Sequence, residues 1–153
     1  MPALGKKVED FTLPATGGED FHLAAHRGHA LVLYFYPKDS TPGCTMEAGQ
    51  FRDLHARFAR LGCKIYGISR DSMKSHENFK AKLGLPFELI SDAEEALCQT
   101  FAVIKMKKMY GKEVRGIERS TFLLDSAGVL RREWRGVKTD GHAAEVLAAV
   151  QSL

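Results

Sequence analysis

The chain has 153 residues, 44% of them hydrophobic and 27% charged, with a formal net charge of +3 at pH 7. This is enough sequence for one domain with a real core, and the balance is that of a globular chain rather than a disordered one. So small a charge points to no nucleic-acid or membrane partner, the longest apolar run is too short to span a bilayer, and three cysteines (44, 63 and 98) make no disulfide framework.

Phe11-Thr12-Leu13 and Phe21-His22-Leu23 bracket Gly17-Gly18 and read as an N-terminal β-hairpin. Ala30 to Tyr36 is continuously apolar, as suits a strand covered on both faces, and Pro37 ends it. From Pro42 the period changes: Phe51, Leu54, Phe58 and Leu61 fall three and four apart on one helix face, with Gly62 as the stop. Cys63 to Ser69 reads as a second strand. Ser72 can cap a polar helix ending near Gly84, and Phe87 to Ile90 is a short strand. Asp92 can cap a helix carrying Leu97 and Phe101. Lys105 to Arg115 reads as a solvated basic loop. Glu118 to Asp125 and Val129 to Trp134 read as strands around the turn Ser126-Ala127-Gly128, with the single Trp134 packing that hairpin. Asp140 can cap a terminal helix with Val146, Leu147 and Val150 on its apolar side. The Phe and Tyr residues read as core.

A strand-helix-strand unit makes parallel neighbours through a right-handed crossover, and the late hairpin adds antiparallel strands. The expected fold is therefore α/β and thioredoxin-like: a central mixed sheet flanked by helices, with the N-terminal hairpin as an extension, in one domain over residues 1–153. The six histidines lack zinc-ligand spacing, and there is no Cys-x-x-Cys or His-Glu-x-x-His, so no metal or other cofactor is expected. The N-terminal residues lack an apolar signal core, which makes the cytoplasm the expected location.

The informative stretch is Tyr36-Pro37-Lys38-Asp39-Ser40-Thr41-Pro42-Gly43-Cys44-Thr45. Ligands of such sheets gather beyond the carboxyl ends of the parallel strands, where the strand ending at Tyr36 delivers the chain. Thr41 is a natural N-cap with Pro42 at the first helical position, which puts Cys44 in the first turn. Unpaired backbone N–H groups and the helix dipole favour a thiolate there. A thiol whose pKa falls from roughly 8.5 to about 6 goes from ~3% to ~90% thiolate at pH 7, a gain of only about thirtyfold. Catalysis then needs donors around the attacked atom. Thr41 offers a hydroxyl, and Gly43 and Cys44 offer backbone N–H groups. Arg119, at the start of a strand antiparallel to the first, can approach Cys44 across the sheet.

Pro37-x-x-x-Thr41-x-x-Cys44 matches the peroxiredoxin active-site pattern. "YFYPKDSTPGCTMEA", "YGISRD", "LISDAEE" and "GIERSTFLLD" resemble the bacterioferritin comigratory protein (peroxiredoxin Q) subfamily over nearly the whole chain. The resemblance implies an antioxidant thiol-dependent peroxidase for hydrogen peroxide and organic hydroperoxides, with Cys44 as the peroxidatic cysteine. By the same resemblance Thr41 and Arg119 position the peroxide, Pro37 shields the pocket and Glu47 orients the arginine. It also implies reduction by thioredoxin, glutaredoxin or glutathione, and no metal, flavin or haem.

One departure matters. Many subfamily members carry a resolving cysteine five residues after the peroxidatic one, where this chain has Gly49. Three routes are then open: an external thiol, Cys98 or Cys63. A disulfide oxidoreductase and a non-catalytic redox sensor are rival activities, and a monomer is the expected state.

Overall fold

The computed structural model describes residues 1–153. β1 (Thr12–Leu13) and β2 (Phe21–His22) pair antiparallel as the N-terminal hairpin, followed by a 3-10 turn over Leu23–His26. The chain continues through β3 (Ala30–Phe35), α1 (Pro42–Arg60), β4 (Cys63–Ser69), α2 (Met73–Leu83) and β5 (Glu88–Ser91). After α3 (Ala96–Thr100) come β6 (Ile104–Met109), β7 (Lys112–Ile117), β8 (Ser120–Leu124), β9 (Leu130–Arg135) and α4 (His142–Gln151). No helix is long and apolar enough to cross a membrane.

Five strands form one mixed sheet in the order β5-β4-β3-β8-β9. The first three run parallel, and β8 and β9 add antiparallel pairings. β3 is apolar throughout because both faces are covered. Val32, Tyr34 and Tyr36 point into a core shared with α1, α2 and α4. Leu31, Leu33 and Phe35 point into a second core, roofed by the N-terminal hairpin and α3. The register pairs Phe35 with Ser120, so the start of β8 lies against the end of β3.

Ser72 caps α2 as expected, its side chain accepting from the Ser75 N–H, and Gly84 closes that helix in the left-handed conformation. The other helix starts differ from the sequence reading. Thr41 holds the N-cap position of α1, but its hydroxyl donates to the Lys38 carbonyl at 2.8 Å and caps nothing. Glu95, not Asp92, holds the cap position of α3; Asp92 reaches past it to accept from the Leu97 and Cys98 N–H groups. Gly141 rather than Asp140 precedes α4, at φ 71°, where a Cβ is disfavoured.

Lys105 to Arg115 is not a loop but most of a hairpin made by β6 and β7. Tyr110 (φ 54°) and Gly111 (φ 77°) both take positive φ, as a two-residue type I′ connection requires. Most of its length is exposed, so neither face imposes the alternation that marks a half-buried strand. Tyr110 is 99% exposed, contrary to the expectation that every tyrosine is core. Trp134 packs against Arg132 of its own hairpin, 5.0 Å from the ring centre, and also against α4: its Nε1 donates to Glu145 at 2.7 Å and its ring meets His142 edge-on.

The middle of β4 admits no side chain at Gly67. A Cβ there would lie 2.8 Å from both Tyr34 and Leu89. Gly67→Ala should therefore lower unfolding stability by about 1–3 kcal/mol, read as a reduced urea midpoint.

Candidate active site

Pro37 turns the chain out of β3, and the loop to Thr41 returns it as α1, which brings Cys44 over the carboxyl end of the sheet. Pro42 has no N–H, and the first-turn amides of Gly43 and Cys44 have no intrahelical acceptor. With the Thr41 hydroxyl turned away, no side chain accepts a capping hydrogen bond from this end of the helix. Cys44 is 1% exposed.

Arg119, one residue before β8, arrives through the Phe35–Ser120 register. Its Nη2 donates to Cys44 Sγ at 3.4 Å and its Nη1 to Glu47 Oε1 at 2.7 Å. Glu47 lies one turn beyond Cys44 on the same buried helix face and is fully buried, with Oε2 lacking any partner. Burial pushes the Glu47 carboxyl up to about 7, against the pull of Arg119. Gly43 makes the approach possible: a Cβ there would sit 3.1 Å from Arg119 Nη2. The structure thus brings Cys44, Glu47, Arg119 and Gly43 together, with Thr41 and half-buried Pro37 on the loop that leads in.

The other thiols lie elsewhere. Cys63 pairs with Ala30 at the opposite end of the strands. Burial pushes its thiol up to about 12. Cys98, on α3, belongs to the core on the other face of the sheet. Burial, together with the Asp92 carboxylate, pushes its thiol well above the ordinary range.

A second constellation was not legible in the sequence. Asp39, in the loop before Cys44, is 5% exposed and accepts from Tyr36 Oη (2.6 Å), Ser75 Oγ (2.8 Å) and His76 Nδ1 (2.7 Å). Its own N–H donates to Asp71 at 2.9 Å. The other His76 nitrogen, Nε2, lies 3.0 Å from the Ile90 carbonyl. Burial alone would raise the Asp39 carboxyl; the bonds from His76, Tyr36 and Ser75 outweigh it and hold the group below the usual carboxylate range. This network fastens the loop to α2 and β5. It also holds Ser40 in the left-handed region at φ 64°, a conformation that surrounding structure must impose on a non-glycine residue. Asp39, Asp71 and His76 bring possible metal-ligand atoms within 4.8 Å of one another. Those atoms are engaged with one another and with Tyr36, Ser69 and Ser75, so the group is a hydrogen-bonded clamp. The only sequence signal was one histidine at the start of a polar helix, among five others.

Residues 4–133 match the AhpC/TSA family. The chain belongs to that family and is a peroxiredoxin. It is 57% identical over 143 residues to the peroxiredoxin Bcp of Xanthomonas campestris, covering 94% of this chain and 89% of the relative. A solved structure of the Xanthomonas campestris bacterioferritin comigratory protein, described there for its alkyl peroxide reduction activity, superposes with a TM-score of 0.88 at 56% identity, over 93% of this chain and 90% of that one. Xylella fastidiosa PrxQ gives 0.94 at 41% identity, over 99% and 97%. The fold of this peroxiredoxin is accordingly thioredoxin-like, and its activity is that of a thiol-dependent peroxidase.

Two outcomes follow from the arginine's environment. Gly43→Ala favours helix but displaces the guanidinium, so reaction of Cys44 with peroxide should slow by about tenfold or more with no loss of thermal stability, in stopped-flow and thermal-melt measurements. The folded carboxyl of Glu47 lies above its unfolded value, so its neutral form stabilises the fold fully below pH about 4.5, and that contribution is lost as pH rises to about 7. Glu47→Gln should remove this decline from the stability profile. It should also remove a step near pH 7 in the peroxide rate, where ionised Glu47 fixes the guanidinium.

Proposed function

We propose that this peroxiredoxin works by a one-cysteine cycle, with Cys44 as the only cysteine that changes redox state. The Cys44 thiolate attacks one peroxide oxygen and the O–O bond breaks. The departing oxygen takes the bonding pair and a proton and leaves as water or an alcohol. Cys44 becomes a sulfenic acid. An external thiol attacks that sulfur, forming a mixed disulfide and expelling the oxygen as water, and a second thiol releases Cys44.

Arg119 and the first-turn amides of Gly43 and Cys44 serve as donors for the peroxide oxygens, Glu47 orients the guanidinium, and Thr41 and Pro37 shape the entry. The observation that carries this reading is the 3.4 Å contact between Arg119 Nη2 and Cys44 Sγ. It gives one sulfur, and neither of the others, a hydrogen-bonded cation, placed where charge develops as the O–O bond opens. The separation of Cys63 and Cys98 from that sulfur, one at the far end of the strands and one across the sheet, supports external resolution.

The test is mass spectrometry after one equivalent of hydrogen peroxide on wild type and on the Cys44→Ser, Cys63→Ser and Cys98→Ser variants. A dimedone-trapped sulfenic acid should appear at Cys44 in all but the first, and turnover with an added thiol should persist in the last two. A Cys44–Cys98 or Cys44–Cys63 disulfide in wild type would replace this cycle with an internal one.

A further inference from the structure

The hairpin of β6 and β7 has no part in the chemistry above, yet it concentrates the charge of the molecule. Residues 104–117 carry Lys105, Lys107, Lys108, Lys112 and Arg115 against Glu113 alone, a net of +4; the whole chain is at +3, so everything outside the hairpin sits at −1. The mild overall charge therefore hides a strongly local one.

The pairing register sorts the two faces. Lys105, Lys107, Met109, Lys112 and Val114 share one face, and Met106, Lys108, Glu113 and Arg115 the other. Arg115 on the second face is ion-paired with Glu95, which also holds Arg70. The first face has no carboxylate. Met109 and Val114 on that face are 51% and 42% exposed, beside Tyr110 at the tip. Cations alternating with exposed methionine, valine and tyrosine make a surface suited to a protein, since Met and Tyr are favoured in interface cores while lysines steer the approach.

Its attachment, together with its charge, favours one class of protein. β7 ends at Ile117, and two residues later Arg119 donates to Cys44 Sγ. The hairpin thus rises from the same short connector that reaches the reactive sulfur. A second copy of this chain is disfavoured as the occupant, because two such faces repel.

We infer that the β6–β7 hairpin is the docking surface for a protein dithiol with an acidic face, which reduces the Cys44 sulfenic acid. The inference rests on the external-thiol reading. In the step itself a partner thiolate attacks the sulfenic sulfur, an S–S bond forms, and the oxygen leaves as water after taking a proton. The partner's second thiolate then breaks that bond, so the partner is oxidised by two electrons and Cys44 returns as a thiol.

The experiment compares wild type with Lys105→Glu/Lys112→Glu and with Met109→Ser/Tyr110→Ser, substitutions that leave the Lys107–Ile117 and Arg115–Glu95 contacts in place. Each protein is oxidised with peroxide and reduced either by an acidic thioredoxin or by dithiothreitol. The charge-reversed variant should lose about tenfold or more in thioredoxin kcat/KM, and the wild-type rate should fall with salt more steeply than the variant's. The apolar variant should lose several-fold at all salt concentrations. Peroxide and dithiothreitol rates should match wild type in both. Thioredoxin rates unchanged in both variants, with dithiothreitol still active, would overturn the docking surface and leave the external-thiol cycle standing. An internal disulfide at Cys44 in wild type would overturn both. Binding of an RNA oligonucleotide, or self-association, that is lost in the charge-reversed variant while thioredoxin rates hold would assign the hairpin to that partner instead.

Discussion

One guanidinium holds the candidate active site together. Arg119 is shared between a buried carboxylate and a buried sulfur, at 2.7 and 3.4 Å. Glu47 has no other polar partner and Cys44 almost no solvent, so the arginine is the one side chain that hydrogen-bonds both in that part of the core. A side chain at Gly43 would crowd the guanidinium, and the arrangement needs β8 to start opposite the end of β3. Helix start, glycine, strand register and carboxylate are thus parts of one constraint, namely that a long cation from a distant strand meet the first turn of α1.

The clamp around Asp39 answers a different demand. The six residues between β3 and α1 must reverse the chain without regular structure of their own. Asp39 ties that loop down: its N–H donates to Asp71, and its carboxylate accepts from Tyr36, Ser75 and His76. The left-handed Ser40 shows the loop is held against its own preference. The cost of burying a carboxylate there is offset by three donors, one of them a histidine ring that also anchors to β5. The loop's geometry is therefore set by α2 and β5 as much as by its own residues.

The sheet also divides the cysteines. Its two faces carry separate cores, and Cys44 and Cys98 belong to different ones. Cys63 shares a core with Cys44 but opens β4, at the other end of the strands. A protein interior is packed as densely as an organic crystal, so neither thiol crosses these distances without unpacking a core. Cys44 is thus separated from the other two cysteines by layer and by strand direction.

Local physics made much of this readable from the residues. The two periods, of strand and of helix, placed β3 and α1; Thr41-Pro42 fixed where α1 begins; and that start put Cys44 in its first turn. Even the arginine was reachable, because antiparallel neighbours bring a strand's start against its partner's end. The sequence was mute where the deciding contact was long-range or where no face was buried. Nothing local distinguishes His76 from the other histidines until folding sets it against Asp39. The β6–β7 hairpin has solvent along most of its length, so its lysines hid its strands. Short-range preferences thus determined most of the elements and the place of Cys44 in the first turn of its helix. Only tertiary packing decided which distant charges meet it, how the loop before it is held and which side of the sheet the other thiols occupy, because those depend on contacts between residues that the sequence keeps far apart.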